Sequence, residues 1–332
     1  MITRREFLKT AALAGPASVL GTHPRPVSAE PPPETTTIRL TQSPIICVAP
    51  QYLAEALLRA EGFAEVRYVK NVPGGASRAL ASGEADVSMA FAPPLIIHVD
   101  GGAPIVLLAG VHAGCWELFG TNDVRTIRDL KKRRIAVPEL GSAHHAFLAS
   151  MGAYVGLDPR TDLNFITHPP AEAMRLFVEG KIDAYLSFPP DSQELRVRKI
   201  GYVVVNSAVD RPWSQYFCCI VAGNREFVRK NPVATKRAVR AILKGADVCA
   251  LEPDRVARFM MDRGYATRFD YAVQLIKELP YAKWREYDPE DTVRFYALRL
   301  HEAGMIKSSP QKIIAQGTDW RFLNELKKEL KG

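Results

Sequence analysis

One stretch of this sequence occurs twice. Residues 76–91, ASRALASGEADVSMAF, align without gaps on residues 173–188, AMRLFVEGKIDAYLSF, at a constant offset of 97. Ala76, Arg78, Gly83, Asp86 and Phe91 recur as Ala173, Arg175, Gly180, Asp183 and Phe188. Each copy meets a proline pair, Pro93-Pro94 and Pro189-Pro190, the first displaced by the inserted Ala92. Each reads as a helix closed by a C-terminal glycine, a tight turn carrying Asp, and a short apolar strand feeding a loop. One such unit in each half implies two similar α/β lobes. Ligands of open parallel sheets lie beyond the carboxyl ends of the strands, so residues 90–92 and 187–189 are expected to face one shared cleft.

The surrounding pattern agrees. Strands are expected at 36–40, 66–69, 87–91, 105–110, 134–137, 164–167, 184–187, 203–206 and 217–222, with helices at 48–60, 143–155 and 171–179 between them. That alternation predicts mainly parallel sheets with helices on both faces. After Gly223 the texture changes to amphipathic helix, at 231–251, 253–263, 269–279, 289–303 and 320–330. This helical tail must pack on a lobe or on a partner.

The first 29 residues read as an export signal rather than as part of the fold. Arg4-Arg5-Glu6-Phe7-Leu8-Lys9 precedes an Ala-rich apolar stretch, and Val27-Ser28-Ala29 offers small residues for cleavage, the order of a twin-arginine signal. About 300 residues remain, enough for two lobes, and no later run is apolar enough to cross a bilayer. The segment 1–29 carries +3 of the formal charge of +8. The only tight basic cluster is Lys131-Lys132-Arg133-Arg134, which reads as a solvated turn, so no nucleic-acid partner is expected. The five cysteines, at 47, 115, 218, 219 and 249, show neither metal-ligand spacing nor the density of a disulfide scaffold, and Cys218-Cys219 reads as part of a buried strand. His144-His145 lacks a third ligand at metal spacing. No phosphate loop or nucleophile elbow occurs either, so no cofactor, metal or catalytic residue is expected.

The segments LASGEADVSMAF and FVEGKIDAYLSFPP, with TIRDLKKRRIAVPELGSAHHAFLASMGAYVGLD and CCIVAGNREFVRKNP, resemble the nitrate/sulfonate/taurine branch of periplasmic binding proteins, also described as NMT1/THI5-like. The resemblance covers most of residues 36–250. It implies a two-lobe clamshell of the type II-like kind, with residues 36–113 and 217–332 in the first lobe, 114–216 in the second, 30–35 as a linker, and the all-helical tail packed on the first lobe. It also implies an extracytoplasmic solute-binding protein of an ABC importer, periplasmic and monomeric, that docks on a permease in the inner membrane. The family's ligand contacts carry over to Ser43, Pro44, Ile45, Phe91, Ala92, Gly141, Ser142, Ala143, His144, Ser187 and Phe188.

The residues themselves add a chemical rationale. A helix start at Gly141-Ser142 presents unpaired N–H groups to an anion, although a plain N-cap needs the same residues. His112 and Trp116 near the first crossing, and Trp213 and Tyr216 near the second, are aromatic candidates for the wall or the hinge. Asp86 and Asp183 read as turn residues rather than as a catalytic pair. The sequence assigns no Lys or Arg to the cleft. Two other functions share this fold: a ligand receptor for a membrane sensor, and a THI5-like pyrimidine enzyme. Phe217-Cys218-Cys219 is too poor in cysteine to match the cysteine-rich stretch of the latter. A thiamine-pyrimidine precursor is an alternative ligand.

Overall fold

The two copies of the repeated unit supply strands to two separate sheets. The computed structural model describes residues 30–330 apart from Pro44 and residues 71–73; the export signal expected at 1–29 lies outside the described residues. Beyond Pro31 the chain is one compact unit.

In chain order the first lobe begins with β1 (Thr37–Thr41), α1 (Ala49–Ala60), β2 (Glu65–Val69), α2 (Gly75–Ser82), β3 (Val87–Phe91), α3 (Ala92–Asp100) and β4 (Ile105–Ala113). The second comprises β5 (Glu117–Gly120), β6 (Arg134–Val137), α4 (Ala143–Tyr154), β7 (Asn164–Thr167), α5 (Pro170–Val178), β8 (Ala184–Ser187), α6 (Asp191–Arg198) and β9 (Tyr202–Asn206). β10 (Phe217–Asn224) returns to the first lobe. It is followed by α7 (Arg225–Lys230), α8 (Pro232–Leu251), α9 (Pro253–Asp262), α10 (Phe269–Glu278), α11 (Pro289–Glu302), α12 (Pro310–Gly317) and α13 (Arg321–Glu329).

The sheets are mixed rather than mainly parallel. β1–β2, β6–β7 and β6–β8 pair in parallel, whereas β10 runs antiparallel to both β3 and β4, and β5 antiparallel to both β8 and β9. The antiparallel strands are those that enter a lobe from a crossing. They arrive from the side opposite to a helix-connected strand and so insert with reversed direction. β4 is buried along its whole length, as its nearly unbroken apolar sequence requires. At Gly110 a Cβ would lie 2.2 Å from the Phe217 ring, so β4 and β10 approach through a glycine.

The Gly-x-x-Asp turns do more than end a helix. Asp86 accepts from the backbone N–H of Arg39 at 2.8 Å and from its Nε at 3.1 Å, and the Asp86 N–H donates to the Arg39 carbonyl at 2.8 Å. Asp183 repeats this with Arg134, accepting from N at 2.7 Å and Nε at 3.1 Å, while its N–H donates to the Arg134 carbonyl at 2.9 Å. Each lobe thus has an arginine in a parallel strand, Arg39 in the middle of β1 and Arg134 at the start of β6, clasped by the aspartate of the neighbouring turn. In the first lobe β1 and β3 are further joined through Gln51. Its Nε2 donates to the Thr41 carbonyl at 2.7 Å, and its Oε1 accepts from Met89 N–H at 2.6 Å.

The helical tail packs on the first lobe but is not confined to it. α8 crosses α1 so closely that a Cβ at Gly245 would sit 2.3 Å from the Pro50 carbonyl oxygen. α11 packs on α3 of the first lobe and on α4 of the second. α10 meets α6 through Arg196, whose Nη2 lies 3.0 Å from Glu278 and 3.5 Å from the buried Glu117. Burial pushes the Glu117 carboxyl up to about 7, against the pull of Arg196.

Two chain crossings join the lobes, at 114–116 and 207–216, and they are bonded to each other. Ser207 Oγ accepts from the Trp116 N–H at 3.0 Å and donates to the Trp116 carbonyl at 2.7 Å, and Ser207 N–H donates to the same carbonyl at 2.9 Å. Gly114 and Cys115 both have positive φ, 85° and 88°. A Cβ at Gly114 would meet Ala208 of the other crossing at 2.7 Å. One continuous core passes through this region by way of Trp116, Phe147 and Trp213.

Candidate functional site

A cavity of about 370 Å³ opens between the carboxyl ends of the two sets of strands. The first lobe contributes Ser43 and Ile45 after β1, Gly74–Arg78 at the start of α2, and Met89–Phe91 at the end of β3. The second contributes Glu139 and Gly141–His144 at the start of α4, and Phe188 after β8. The floor is made by Cys47, Cys115, Trp116, Cys218 and Cys219.

Two helices from different lobes therefore begin at this cavity. α2 starts after Gly74, whose φ of 78° is a left-handed conformation, and it has no side-chain cap. α4 starts after Ser142, whose hydroxyl accepts from the His145 N–H at 3.3 Å. The serine is thus the plain cap that this helix needs, and Ala143 and His144 remain the amides at its open end. Unpaired N–H groups and the partial positive charge of a helix start favour an anion at both places. Arg78, in the first turn of α2, adds a full positive charge to the wall and forms no ion pair among the described residues. Glu139 is the carboxylate on the opposite wall.

Trp116 organises the apolar part. Its ring centroid lies 5.3 Å from Phe91, 5.4 Å from Phe188 and 4.8 Å from His144, which it meets edge-on. Its Nε1 is buried with no partner among the described residues. Burial draws His144 down to about 4, so this imidazole is neutral at ordinary pH and adds no charge.

Of the residues singled out from sequence, Ser43, Ile45, Phe91, Trp116, Gly141, Ser142, Ala143, His144 and Phe188 line the cavity. Pro44 lies outside the described residues. Ala92, Ser187, His112 and Tyr216 do not line it. Ala92 is the buried first residue of α3. Ser187 is turned into the second lobe, donating to the Glu117 carbonyl at 3.2 Å and bonded to Ser192 Oγ at 2.9 Å. His112 is buried behind the floor. Tyr216 stacks on Phe295 at 4.0 Å and borders an outer groove with Asp288 and Asp291.

A family model described as the NMT1-like family matches residues 31–260. The chain belongs to the NMT1-like family. Among curated relatives, this NMT1-like chain is 25% identical over 179 residues to the taurine-binding periplasmic protein of Escherichia coli, matching 53% of this chain and 55% of that one. It is 25% identical over 141 residues to the nitrate import ATP-binding protein NrtC of Synechocystis, matching 40% of this chain and 21% of that one. The matches thus span about half of the first relative and a fifth of the second. Among solved structures, the periplasmic nitrate-binding protein NrtA of Synechocystis superposes with a TM-score of 0.74 at 17% identity, covering 91% of this chain and 90% of that one. The aliphatic sulphonate-binding protein SsuA of Escherichia coli gives 0.65 at 17% identity, covering 84% and 91%. The fold is that of periplasmic binding proteins, a two-lobe clamshell.

Two features escaped the sequence reading. Arg78 was visible as a member of the duplicated unit, yet nothing in the spacing showed that it reaches the cavity while its counterpart Arg175 turns to Glu172 and Glu179 on the surface. The floor gathers four of the five cysteines. Cys115 Sγ and Cys218 Sγ are 3.1 Å apart. Burial holds both thiols well above their usual range, whereas the neighbouring thiols of Cys115, Cys218 and Cys47 draw Cys219 well below it.

Proposed function

We propose that this chain is the extracytoplasmic solute-binding protein of an ABC importer and captures a small organic anion between its lobes. The observation that carries this is the convergence on one cavity with an aromatic floor of two helix N-termini, one per lobe, and of Arg78, which has no ion-pair partner among the described residues. The anionic head is placed between the starts of α2 and α4, where backbone N–H groups and Arg78 neutralise it. The organic body rests on Trp116, Phe91 and Phe188. The volume of about 370 Å³ suits an organic sulfonate or carboxylate better than a bare inorganic anion, which would leave most of the space to water. The names of the taurine-, nitrate- and sulphonate-binding relatives are consistent with this class.

Capture follows from contacts to both lobes. A solute that touches Arg78 on one side and the start of α4 on the other binds the closed arrangement better than the open one, and only that difference shifts the population. The crossings at 114–116 and 207–216 act as the hinge. The lobes divide at these crossings, as 36–113 with 217–332 and as 114–216. Export runs through the twin-arginine signal at 1–29, and the closed monomer docks on a permease of the inner membrane. No described helix is long and apolar enough to cross a membrane.

A thermal-shift screen of the purified protein against sulfonates, carboxylates, nitrate and pyrimidines tests the reading, because binding to the native state raises the melting temperature by mass action. Organic sulfonates or carboxylates are expected to give the largest shifts, with scattering profiles that contract on binding. A shift with neutral pyrimidines alone, or turnover of the bound compound, would overturn it.

A further inference from the structure

The cavity floor and the strand behind it hold a second constellation to which the proposed solute capture assigns no role. Cys47 follows β1, His112 lies on β4 and Cys219 on β10, and one ligand atom from each lies within 4.8 Å of the other two. All three are buried. The histidine is the informative member. Its Nδ1 is 3.1 Å from the Ala113 carbonyl oxygen, and a carbonyl can only accept, so Nδ1 carries the hydrogen. In the neutral ring Nε2 is then a bare lone pair. That atom is buried with no hydrogen bond of ordinary geometry among the described residues, while the Cys219 sulfur and the Cys47 carbonyl lie close to the ring. Leaving a polar atom unpaired in an interior is costly, so this nitrogen calls for an acceptor of its lone pair.

We propose that Cys47, His112 and Cys219 bind one thiophilic divalent cation of the Zn²⁺ class. Two sulfurs and an imidazole nitrogen are the donor set that such a cation takes, and the trio includes none of the oxygen donors that select Mg²⁺ or Ca²⁺. Both cysteines bind as thiolates, with any thiol proton released to solvent, and each gives a sulfur lone pair to the metal. The two thiolate charges offset the two positive charges, so the pair of ligands leaves no net charge buried.

The supports expected around a metal-binding histidine are present. The Ala113 carbonyl fixes the tautomer, the Tyr281 hydroxyl donates to the Cys47 carbonyl at 3.0 Å, and the Tyr281 ring packs on His112 at 5.0 Å. Cys47 and Cys219 line the cavity, which supplies an entry path. Cys115, whose thiol neighbours those of Cys47 and Cys219, is a further donor beside the trio. The inference does not depend on which solute fills the cavity.

The test is a titration of the purified, fully reduced, metal-stripped protein with Co²⁺ and then Zn²⁺. One equivalent of Co²⁺ is expected to produce thiolate-to-metal charge-transfer absorption that one equivalent of Zn²⁺ abolishes. X-ray absorption at the zinc edge of the unaltered protein is expected to show a sulfur and nitrogen shell. Cys219→Ser and His112→Ala are each expected to weaken Zn²⁺ binding by about 10–100-fold or more, whereas Cys249→Ser, a buried cysteine outside the trio, leaves it unchanged. Absence of the charge-transfer band, an oxygen-only shell, or equal loss with Cys249→Ser would each overturn the proposal. The spectroscopy on the unaltered protein stands even if a variant fails to fold.

Discussion

Replacing Asp86 with alanine removes the clasp of the first lobe. Three hydrogen bonds from Arg39 end on this carboxylate, from N at 2.8 Å, Nε at 3.1 Å and Nη2 at 2.5 Å. The Asp86 side chain is 6% exposed and that of Arg39 40%, so on truncation the guanidinium rehydrates but the Arg39 N–H loses its partner. Hydrogen bonds to a charged group contribute about 1.5–3 kcal/mol each when counted singly, and the three share one acceptor, so a loss of ~2–3 kcal/mol in total is expected. The equivalent change at Asp183 has the same three bonds, at 2.7, 3.1 and 3.2 Å, but there the exposures are 18% and 48%. Solvent already competes for that carboxylate, and ~1–1.5 kcal/mol is expected. Guanidinium denaturation followed by tryptophan fluorescence gives both values, provided the slope with denaturant is unchanged. A loss below ~0.5 kcal/mol at Asp86, or an equal or larger loss at Asp183, would refute the reasoning that burial sets the worth of the clasp.

Arg78→Ala is expected to weaken binding of an anionic solute by at least about tenfold with little change in the melting temperature of the free protein; calorimetric titration of the strongest sulfonate or carboxylate from the screen measures it. Glu117 predicts a pH dependence. Its folded value of about 7 lies above the ordinary 4.5, so its contribution to stability is complete below the ordinary value and is lost as pH rises through about 7. Glu117→Gln should flatten that part of a melting-temperature profile between pH 5 and about 8, and parallel profiles for both proteins would contradict the assignment. Gly245→Ala forces a methyl against the Pro50 backbone and should cost about 1–3 kcal/mol, read as a lower denaturation midpoint.

The duplicated units show what single-sequence reasoning reaches. β3, β6, β7 and β8 begin and end where the apolar runs do, because Gly, Asp and charged residues mark their edges. β5 escaped because Glu117–Gly120 is four residues long and begins on a glutamate that is buried only by its neighbours. α3 escaped because Pro93 and Pro94 look like a loop, although prolines at the first positions of a helix forgo no intrahelical hydrogen bond. Strand direction was misread for the same reason that the cavity floor was invisible: both depend on the crossings, which bring β10 back between β3 and β4. Cys47, His112 and Cys219 come from three segments far apart in sequence, and no spacing rule connects them. Arg78 and Arg175 are equivalent in the repeat and differ in their own neighbours: Glu172 and Glu179 hold Arg175, whereas the matching positions beside Arg78 are Gly75 and Ser82.

The bonding of the two crossings through Ser207 has a mechanical consequence. Two separate tethers would let the lobes slide past one another as well as rotate. Tethers joined at the backbone N–H and carbonyl of Trp116, with Gly114 pressed against Ala208, form a two-ply ribbon that bends and twists but resists shear. In the closure proposed above, such a ribbon would favour rotation about a line beside the Trp116 ring over sliding of the lobes. The start of α2 and the start of α4 would then approach along one arc, with their spacing set by a single angle.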